Sequence, residues 1–551
     1  MILIAAWRRT ALPSLLVLLV LLSACAGPPV ESPESEVATA GSSSPALPDI
    51  PEDAAYRRTL ALAEQELEVV RLLLDLNAAH RPVDADLLNV RVVDPAAGTA
   101  SEPTCVSVRG GRIAAVGTDC PPNPGIQQID GAGRYLVPGL ADMHVHQLES
   151  AMVPLLNVLF GVTTVRDMDG FPWLLEWREK AAGDQLFAPS MYVTGRILNF
   201  VPYGWYTREV KTPEEGRVAV REQAAAGYDA IKIHNVLPLP IFDAVLDEAR
   251  RMGLDVVGHV PHEISVEHAI ESGMWTMEHF KGYVDDRSLQ ISDEDWVTPT
   301  RGAEAWNCPT LYTERERLRG AARDAWFESA EARWVPVLRR DAWRRGSEEP
   351  VGEPHAGLAA RQRQVLERLL PITDRFLAGT DSGGGYPFMV SGPALHDELA
   401  NFQDAGMSPP LALRTATTHA AAALRWEGES GVIAPGARAD LLLVADNPLD
   451  DVRHLRAIEG VMLRGAWIDG VERSEILDRL AAIQARVPAV AGDAAVLDDD
   501  WAERLVAEVE ALRADGYTHP VHLLEEWAAA LEEAGFGEEA ERLSASNAPP
   551  N

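Results

Sequence analysis

The amino-acid sequence predicts an α/β fold in which a parallel α/β barrel is inserted into a small β domain. Over residues 139–428, short β-like runs alternate with helix-like runs, which is the pattern of a parallel sheet covered by helices. Short strands broken by Gly and Pro lie on both sides of that region, over 83–138 and 429–473. With 551 residues the chain has room for a barrel of about 250 residues and for accessory domains.

The composition is that of a globular protein with an acidic surface. Apolar residues make up 47% of the chain and charged residues 24%, which excludes an intrinsically disordered protein. The chain has 83 acidic and 49 basic residues, and its formal net charge is −34. Because such a surface repels polyanions, we expect no nucleic acid partner.

The N-terminus predicts export. Arg8 and Arg9 precede an apolar run over 11–22, which is short for a membrane span and typical of a signal peptide over 1–24. The sequence Leu22-Ser-Ala-Cys25 resembles the lipobox of bacterial lipoproteins. That resemblance implies lipidation of Cys25 and a periplasmic or cell-surface protein that is anchored to the membrane. A plain secretory signal and an uncleaved anchor are the alternatives.

The segments outside the barrel and the β domain have no predicted catalytic residue. A Pro-, Ser- and Glu-rich stretch over 25–52 predicts a flexible tether. The apolar spacing over 53–82 predicts a helical segment that packs on the main domain. Apolar stripes and capping residues predict a helical C-terminal extension over 474–551.

The cysteines leave one pairing open. Cys105 and Cys120 flank a predicted hairpin centred on Gly110-Gly111, which does not place them directly opposite each other. A disulfide between them therefore requires the chain to curl back after Gly117. Cys308 is predicted to be a buried small apolar residue rather than a nucleophile.

Polar side chains stand at the ends of several predicted barrel strands. His144 and His146 are two residues apart in an extended strand, so both imidazoles face the same side and can reach one metal ion. The catalytic residues of barrels lie at the C-terminal ends of different strands. Each such residue alone has a structural alternative, such as a hydrogen-bonded core histidine or an aspartate in a turn. Six such residues at the ends of successive predicted strands together predict a metal site. They are His144, His146, Lys232, His259, His279 and Asp381.

The motifs around these residues resemble the amidohydrolase superfamily of metal-dependent hydrolases, in its imidazolonepropionase-like and Xaa-Pro dipeptidase-like branch. The resemblance covers residues 87–471. It rests on Val137-Pro-Gly-Leu-Ala-Asp-Met-His-Val-His, Asp229-Ala-Ile-Lys-Ile, Gly258-His-Val, Glu278-His, Ala378-Gly-Thr-Asp and Gly431-Val-Ile-Ala-Pro-Gly-Ala-Arg-Ala-Asp-Leu. It implies a (β/α)8 TIM-like barrel with a composite β-sandwich domain from both flanks.

The resemblance also implies a ligand set. His144 and His146 would bind the more buried ion, His259 and His279 the second ion, and Asp381 would face the first ion and the water. Lys232 would bridge the two ions in its carboxylated form; a salt-bridged Lys232 beside a single ion is the alternative. Imidazole with carboxylate-type oxygens suits Zn, with Fe, Mn and Co as alternatives.

The predicted reaction is hydrolysis of an amide or other carbon–nitrogen bond by metal-activated water, with Asp381 as general base and then acid. Dipeptide-like or cyclic amides are the expected small-molecule substrates. The alternatives are a deaminase or mononuclear hydrolase of the same superfamily, or a non-catalytic metal-binding lipoprotein. His234 shares a face with Lys232, and Tyr203 and Tyr206 lie in the loop after the third strand, so these three are candidate substrate contacts.

Overall fold

The computed structural model describes most of the chain from residue 56 onward. The described residues are 56–117, 120, 125–147, 151–203, 206–284, 291, 295–313, 320–346, 357–384, 387–488, 491 and 499–545. The predicted signal peptide, the tether and Cys25 lie outside these ranges. Within them, every helix is too short or too polar to cross a membrane.

One nine-stranded sheet combines strands from both flanks of the central region. Its strands are Ala85–Asp94, Thr99–Ala100, Thr104–Arg109, Arg112–Gly117, Gln127–Asp130, Tyr135–Pro138, Leu441–Val444, Ile458–Leu463 and Ala466–Asp469. Tyr135–Pro138 joins the two sets, because it pairs parallel to Ala85–Asp94 and antiparallel to Leu441–Val444. The strand that leads into the His-Val-His motif is therefore held on both sides.

The described part of the central region contains two parallel sheets. One consists of Leu140–Val145, Val162–Asp167 and Ser190–Val193; the other of Arg208–Glu209, Leu198–Asn199, Ala230–Ile233, Asp255–Gly258, Thr276–Glu278 and Trp306–Cys308. An isolated parallel bridge between Thr194 and Ala230 connects the two sheets. Two further parallel bridges, Asn307 to Phe376 and Val145 to Ser382, connect the segment 376–382 to the last and the first of these strands.

Helices alternate with these parallel strands, which confirms the predicted α/β class. Pro213–Ala226 shows how the sequence sets the bounds: Thr212 accepts the Glu215 N–H, and Gly227 ends the helix at φ +87°. The α-helices of the central region are Met152–Leu159, Pro172–Ala182, Pro213–Ala226, Leu239–Met252, Val266–Glu271, Val297–Thr300, Gly320–Phe327, Val337–Gly346, Leu358–Leu369, Pro393–Asp404, Pro409–Thr415 and Thr418–Leu424. Short 3₁₀ helices cover Glu331–Trp334 and Val452–Arg456.

Helices from the two ends of the described chain pack together. They are Tyr56–Ala79, Gly470–Ala485, Asp499–Ala514, Val521–Ala534 and Gly537–Ala545. The Gln65 amide donates to the carbonyl oxygens of Ile483 at 3.1 Å and Arg486 at 2.8 Å. The Trp501 indole donates to Glu64 at 2.6 Å. The first helix is thus fixed by the last ones.

A disulfide joins Cys105 to Cys120, with their Cα atoms 6.2 Å apart. Cys105 lies opposite Gly117 in the hairpin register, and Cys120, three residues after Gly117, is its disulfide partner. Cys308 is fully buried in the core, as predicted.

We expect the double substitution Cys105→Ser and Cys120→Ser to lower the free energy of unfolding by about 3 kcal/mol. The cross-link spans a sequence separation of 15 residues, and a loop of that length restricts the unfolded chain by about this amount. Urea denaturation of the two proteins measures the difference. Reductant should shift the wild-type curve to that of the double variant; identical curves without reductant would show that the bond does not form.

Candidate metal centre

The predicted metal ligands come together where parallel strands end. His144 lies near the end of Leu140–Val145, Lys232 lies within Ala230–Ile233, and both are 1% exposed. His146, His259 and His279 each stand one residue beyond the end of a strand. The ring centroid of His279 is 4.6 Å from that of His144 and 4.8 Å from that of His259, and the rings of His144 and His146 are 5.3 Å apart.

Asp381 lies against the first two histidines. Its Oδ1 atom is 2.7 Å from His146 Nε2 and 3.3 Å from His144 Nε2. One potential ligand atom from each of these three residues lies within 4.8 Å of the others. Two imidazoles and a carboxylate at this spacing could hold a divalent ion such as Zn.

The other ring nitrogen of each histidine is held by a second residue. The Nδ1 contacts are His144 to Glu278 at 2.8 Å, His146 to Asp169 at 2.7 Å, His259 to Asn235 at 2.5 Å and His279 to Thr310 at 2.6 Å. Such partners fix the orientation and the tautomer of an imidazole, which leaves Nε2 as the atom that can donate a lone pair. Because all four rings share this arrangement, the donor chemistry fits a metal centre.

The sequence did not single out these four partners. Asp169, Asn235 and Thr310 each stand two residues beyond the end of a strand that pairs with the strand of the histidine they contact. Polar residues at that offset are therefore a signal that could have found them. Glu278 was part of the Glu-His motif, but its contact with His144 crosses 134 residues of sequence.

A buried ion pair holds Glu278 in its charged form. Arg166 donates to Glu278 Oε1 at 2.8 Å, and the two side chains are 2% and 0% exposed. Burial raises the pKa of Glu278, but the charge of Arg166 and the hydrogen bond with His144 outweigh it and hold the pKa well below its ordinary value. Glu278 thus accepts a hydrogen bond from the Nδ1–H group of His144, and this contact directs Nε2 toward Asp381.

The backbone on both sides of Asp381 is also fixed. The buried Asp142 carboxylate accepts the N–H of Thr380 at 3.0 Å and its hydroxyl at 2.7 Å. The Asp381 N–H donates to the His144 carbonyl at 2.7 Å. Asp381 and His279 have φ angles of +60° and +59°, which non-glycine residues seldom adopt. Strain of this kind persists only where surrounding contacts determine the position.

Lys232 is fully buried beside the carboxylates of the site. Burial lowers its pKa to about 8, although Glu278 and Asp381 favour the charged form. A substantial fraction of the amine is therefore neutral near pH 8, and a neutral amine is the form that reacts with carbon dioxide.

The three predicted substrate contacts form one side of the site. The His234 ring centroid lies 4.0 Å from that of His259 and 4.1 Å from that of Tyr203. Burial holds the pKa of His234 well below its ordinary value, so its ring is neutral, and its buried Nδ1 has no hydrogen-bond partner among the described residues. The Tyr206 ring lies 6.2 Å from that of Tyr203.

Known proteins are similar to this chain in sequence or in fold. Adenine deaminase 3 of Rhizobium meliloti (strain 1021) is 26% identical over 400 residues, which are 69% of this chain and 58% of that deaminase. The chain thus spans less than two thirds of that relative. Bottromycin amidohydrolase matches with a TM-score of 0.64 and 26% identity over 76% of this chain and 93% of its own. A putative prolidase from Bifidobacterium longum matches in fold, with a TM-score of 0.57 and 23% identity over 72% of this chain and all of its own.

The model of the amidohydrolase family matches residues 135–468, which is more than half of the chain. The matched region contains all six predicted metal ligands and the four residues that hold the histidine rings. The chain belongs to the amidohydrolase family.

Proposed function

We propose that this chain is a metal-dependent hydrolase that cleaves an amide or other carbon–nitrogen bond in a small molecule. The observation that carries the proposal is the set of four histidines at the strand ends, each held at Nδ1, two of which lie against the Asp381 carboxylate. Membership of the amidohydrolase family supports the reaction class. No serine or cysteine nucleophile is needed.

We further propose that seven of the parallel strands, all but Leu198–Asn199 and Arg208–Glu209, close with the segment 376–382 into an eight-stranded (β/α)8 barrel beside a composite β-sandwich. The three isolated parallel bridges support this, since they connect the two parallel sheets and the segment 376–382 in a ring. The backbone bonds from Met143 N–H to Ala378 O and from Leu377 N–H to Asn307 O, both 2.8 Å, extend two of these connections. In such a barrel the ligands lie at the C-terminal ends of the strands.

The residues fit two ions. His144, His146 and Asp381 would hold one, His259 and His279 the other, and carboxylated Lys232 would lie between them. By ligand type the ions are Zn, with Fe, Mn and Co as alternatives. When bound, such ions supply Lewis acid chemistry that activates water and polarises the carbonyl group of the substrate.

Asp381 is the residue that moves the proton in this proposal. Its carboxylate accepts a proton from the attacking water and then passes it to the departing nitrogen. The Oδ1 atom of that carboxylate faces the Nε2 atoms of His144 and His146, the side on which these three residues would share an ion. Glu278 and Asp169 keep the rings of His144 and His146 oriented during the reaction, because neither ring can turn without losing its hydrogen bond at Nδ1.

His234 and Tyr203 are the proposed substrate contacts. The buried Nδ1 of His234 has no hydrogen-bond partner among the described residues, and buried polar atoms are seldom left without one. A substrate amide or carboxylate would provide this partner. We expect Tyr203→Phe to change KM by less than about threefold and His234→Phe to raise it by about tenfold, the value of one buried hydrogen bond. Steady-state kinetics on one substrate checks both; equal KM values for His234→Phe and wild type would contradict the assignment.

A deaminase is the second candidate, because adenine deaminases are among the proteins to which this chain is similar. A panel of N-acyl amino acids, Xaa-Pro dipeptides, lactams and adenine separates the two candidates. Release of an amine or amino acid supports the amide hydrolase, whereas ammonia released from adenine alone supports the deaminase. No turnover of any member by metal-loaded protein would contradict both.

We expect Lys232→Ala to reduce the bound metal from about two equivalents to one. The bridging oxygens would be lost while His144, His146 and Asp381 remain to hold one ion. Elemental analysis of the purified proteins measures the content. Lys211→Ala is the matched control, since Lys211 is 44% exposed and pairs with Glu209 on the surface. Equal metal content in the Lys232 variant and the wild type would rule out the bridge.

We also propose that the chain is exported and lipidated at Cys25. The Cys105–Cys120 disulfide supports an oxidising compartment. Mass spectrometry of the mature N-terminus tests this proposal: a diacylglyceryl cysteine at position 25 is expected, and an unmodified Cys25 within a longer chain would contradict it.

A further inference from the structure

The C-terminal helices dock on the helix that follows the second parallel strand. These helices, Asp499–Ala514, Val521–Ala534 and Gly537–Ala545, lie outside the family-matched residues. The Trp177 indole donates to the Thr518 carbonyl at 2.8 Å, and Lys180 Nζ donates to the Thr518 hydroxyl at 2.7 Å. The ring of the buried Tyr517 lies 5.6 Å from the Trp177 ring. The contact is both polar and apolar, so it fixes the two elements in register.

The same docking brings His522 to the loop that carries Asp169, the partner of His146. The His522 ring centroid is 6.1 Å from that of Phe171 and 6.4 Å from that of Trp173. Phe171 and Trp173 are both buried, and their rings stack at 6.0 Å with an interplanar angle of 11°. This loop therefore has the C-terminal extension on one side.

The opposite side of the loop is packed against the barrel. At Gly170 an added Cβ atom would lie 2.3 Å from the backbone of Gly195, and φ is +71°, so only glycine fits there. The Tyr228 hydroxyl donates to the Gly170 carbonyl at 2.7 Å. The packing around Gly170 leaves no room for movement toward the barrel. We therefore expect the Phe171 ring to move when its contact with the C-terminal extension is lost.

A series of ring contacts leads from Phe171 to a predicted metal ligand. The centroid distances are 6.1 Å from Phe171 to Tyr206, 6.2 Å from Tyr206 to Tyr203, 4.1 Å from Tyr203 to His234 and 4.0 Å from His234 to His259. Tyr206 meets Phe171 edge to face, an arrangement that depends on the position of both rings. Ring contacts thus connect the site to Phe171, which in turn lies beside His522 of the C-terminal extension.

We propose that the C-terminal extension controls substrate binding, with His522 as a positioning residue that sets the position of the Phe171 ring and, through it, that of Tyr206. The proposal rests on the proposed function, because it concerns the substrate side of that site. His522 contacts the loop and takes no part in the reaction itself. A ring contact of this kind corresponds to a change of about three- to tenfold in KM.

The first test needs no substrate. Hydrogen–deuterium exchange of the full chain is followed by mass spectrometry in the wild type, His522→Ala and Arg542→Ala. Arg542 pairs with Glu503 and Glu510 inside the extension, so its loss loosens the extension without removing a contact to the loop. We expect faster exchange over 168–173 and 198–203 in His522→Ala only. Wild-type exchange there in His522→Ala, or the same increase in Arg542→Ala, would overturn the proposal.

The second test is kinetic. With the best substrate of the panel, His522→Ala is expected to raise KM by about three- to tenfold, with kcat within about twofold and unchanged metal content. His522→Phe keeps a ring against Phe171, so its KM should equal that of the wild type. It is also the variant to compare with the wild type if the alanine variant does not fold. An unchanged KM in His522→Ala, or equal KM values in the alanine and phenylalanine variants, would overturn the role of His522. If no panel member is turned over, the proposed function fails while the exchange experiment still decides this inference.

Discussion

Asp381→Asn is expected to lower kcat by about 10²- to 10⁴-fold, because the amide cannot take up and release the proton of the attacking water. The turn itself should survive, since the Asp381 N–H bonds to the His144 carbonyl and Thr380 is held by Asp142. The amide oxygen can still act as a ligand and both His144 and His146 remain, so the variant should keep most of its metal. The loss should therefore appear in kcat rather than in folding.

Steady-state kinetics and elemental analysis of the same preparations check this expectation. Asp374→Asn is the matched control, because Asp374 is 60% exposed and pairs with Arg414 away from the site. Its kcat should stay within about twofold of the wild type, as for most surface substitutions. Metal-loaded Asp381→Asn with wild-type kcat would show that another group moves the proton.

Glu278→Gln is expected to lower the free energy of unfolding by about 3–5 kcal/mol. The substitution leaves Arg166 buried without a counter-charge, and this penalty is typical when one partner of a buried ion pair is removed. The change in shape is small, so packing contributes little. His144 also loses a charged partner at Nδ1, and we expect weaker metal binding as a result.

Denaturation by urea, with the metal removed by chelation, isolates the effect on folding. Asp255→Asn is the control, since Asp255 pairs with Arg425, whose side chain is 62% exposed. Such a pair contributes less than about 1 kcal/mol. Equal midpoints for Glu278→Gln and the wild type would show that Arg166 is satisfied without Glu278.

The predicted ligand residues, which the structure brings together, could be picked out because their signal is local. His144 and His146 are two apart on one strand, and His259, His279 and Asp381 follow short apolar runs, so each is visible within a few residues of sequence. The order of the strands then brings them to one edge. The same reasoning placed His234 beside Lys232, and the structure puts its ring against His259.

The residues that orient these ligands could not be predicted, because their contacts join strands that are neighbours in space. Asp169, Asn235 and Thr310 read as ordinary loop residues until the pairing of the strands is known. The docking of the C-terminal helices is harder still, since nothing in the sequence around His522 indicates that it meets Phe171. The Cys105–Cys120 disulfide could not be predicted for a related reason, since no local sequence pattern shows that Cys120 comes close to Cys105.

Turnover as a function of bound metal tests the central claim most directly. The protein is stripped with a chelator and reloaded with Zn in steps, and hydrolysis of the best panel substrate is measured at each step. We predict no turnover without metal and an increase up to about two equivalents, as expected for a site with two ions. Full turnover by the stripped protein would contradict a metal-dependent hydrolase.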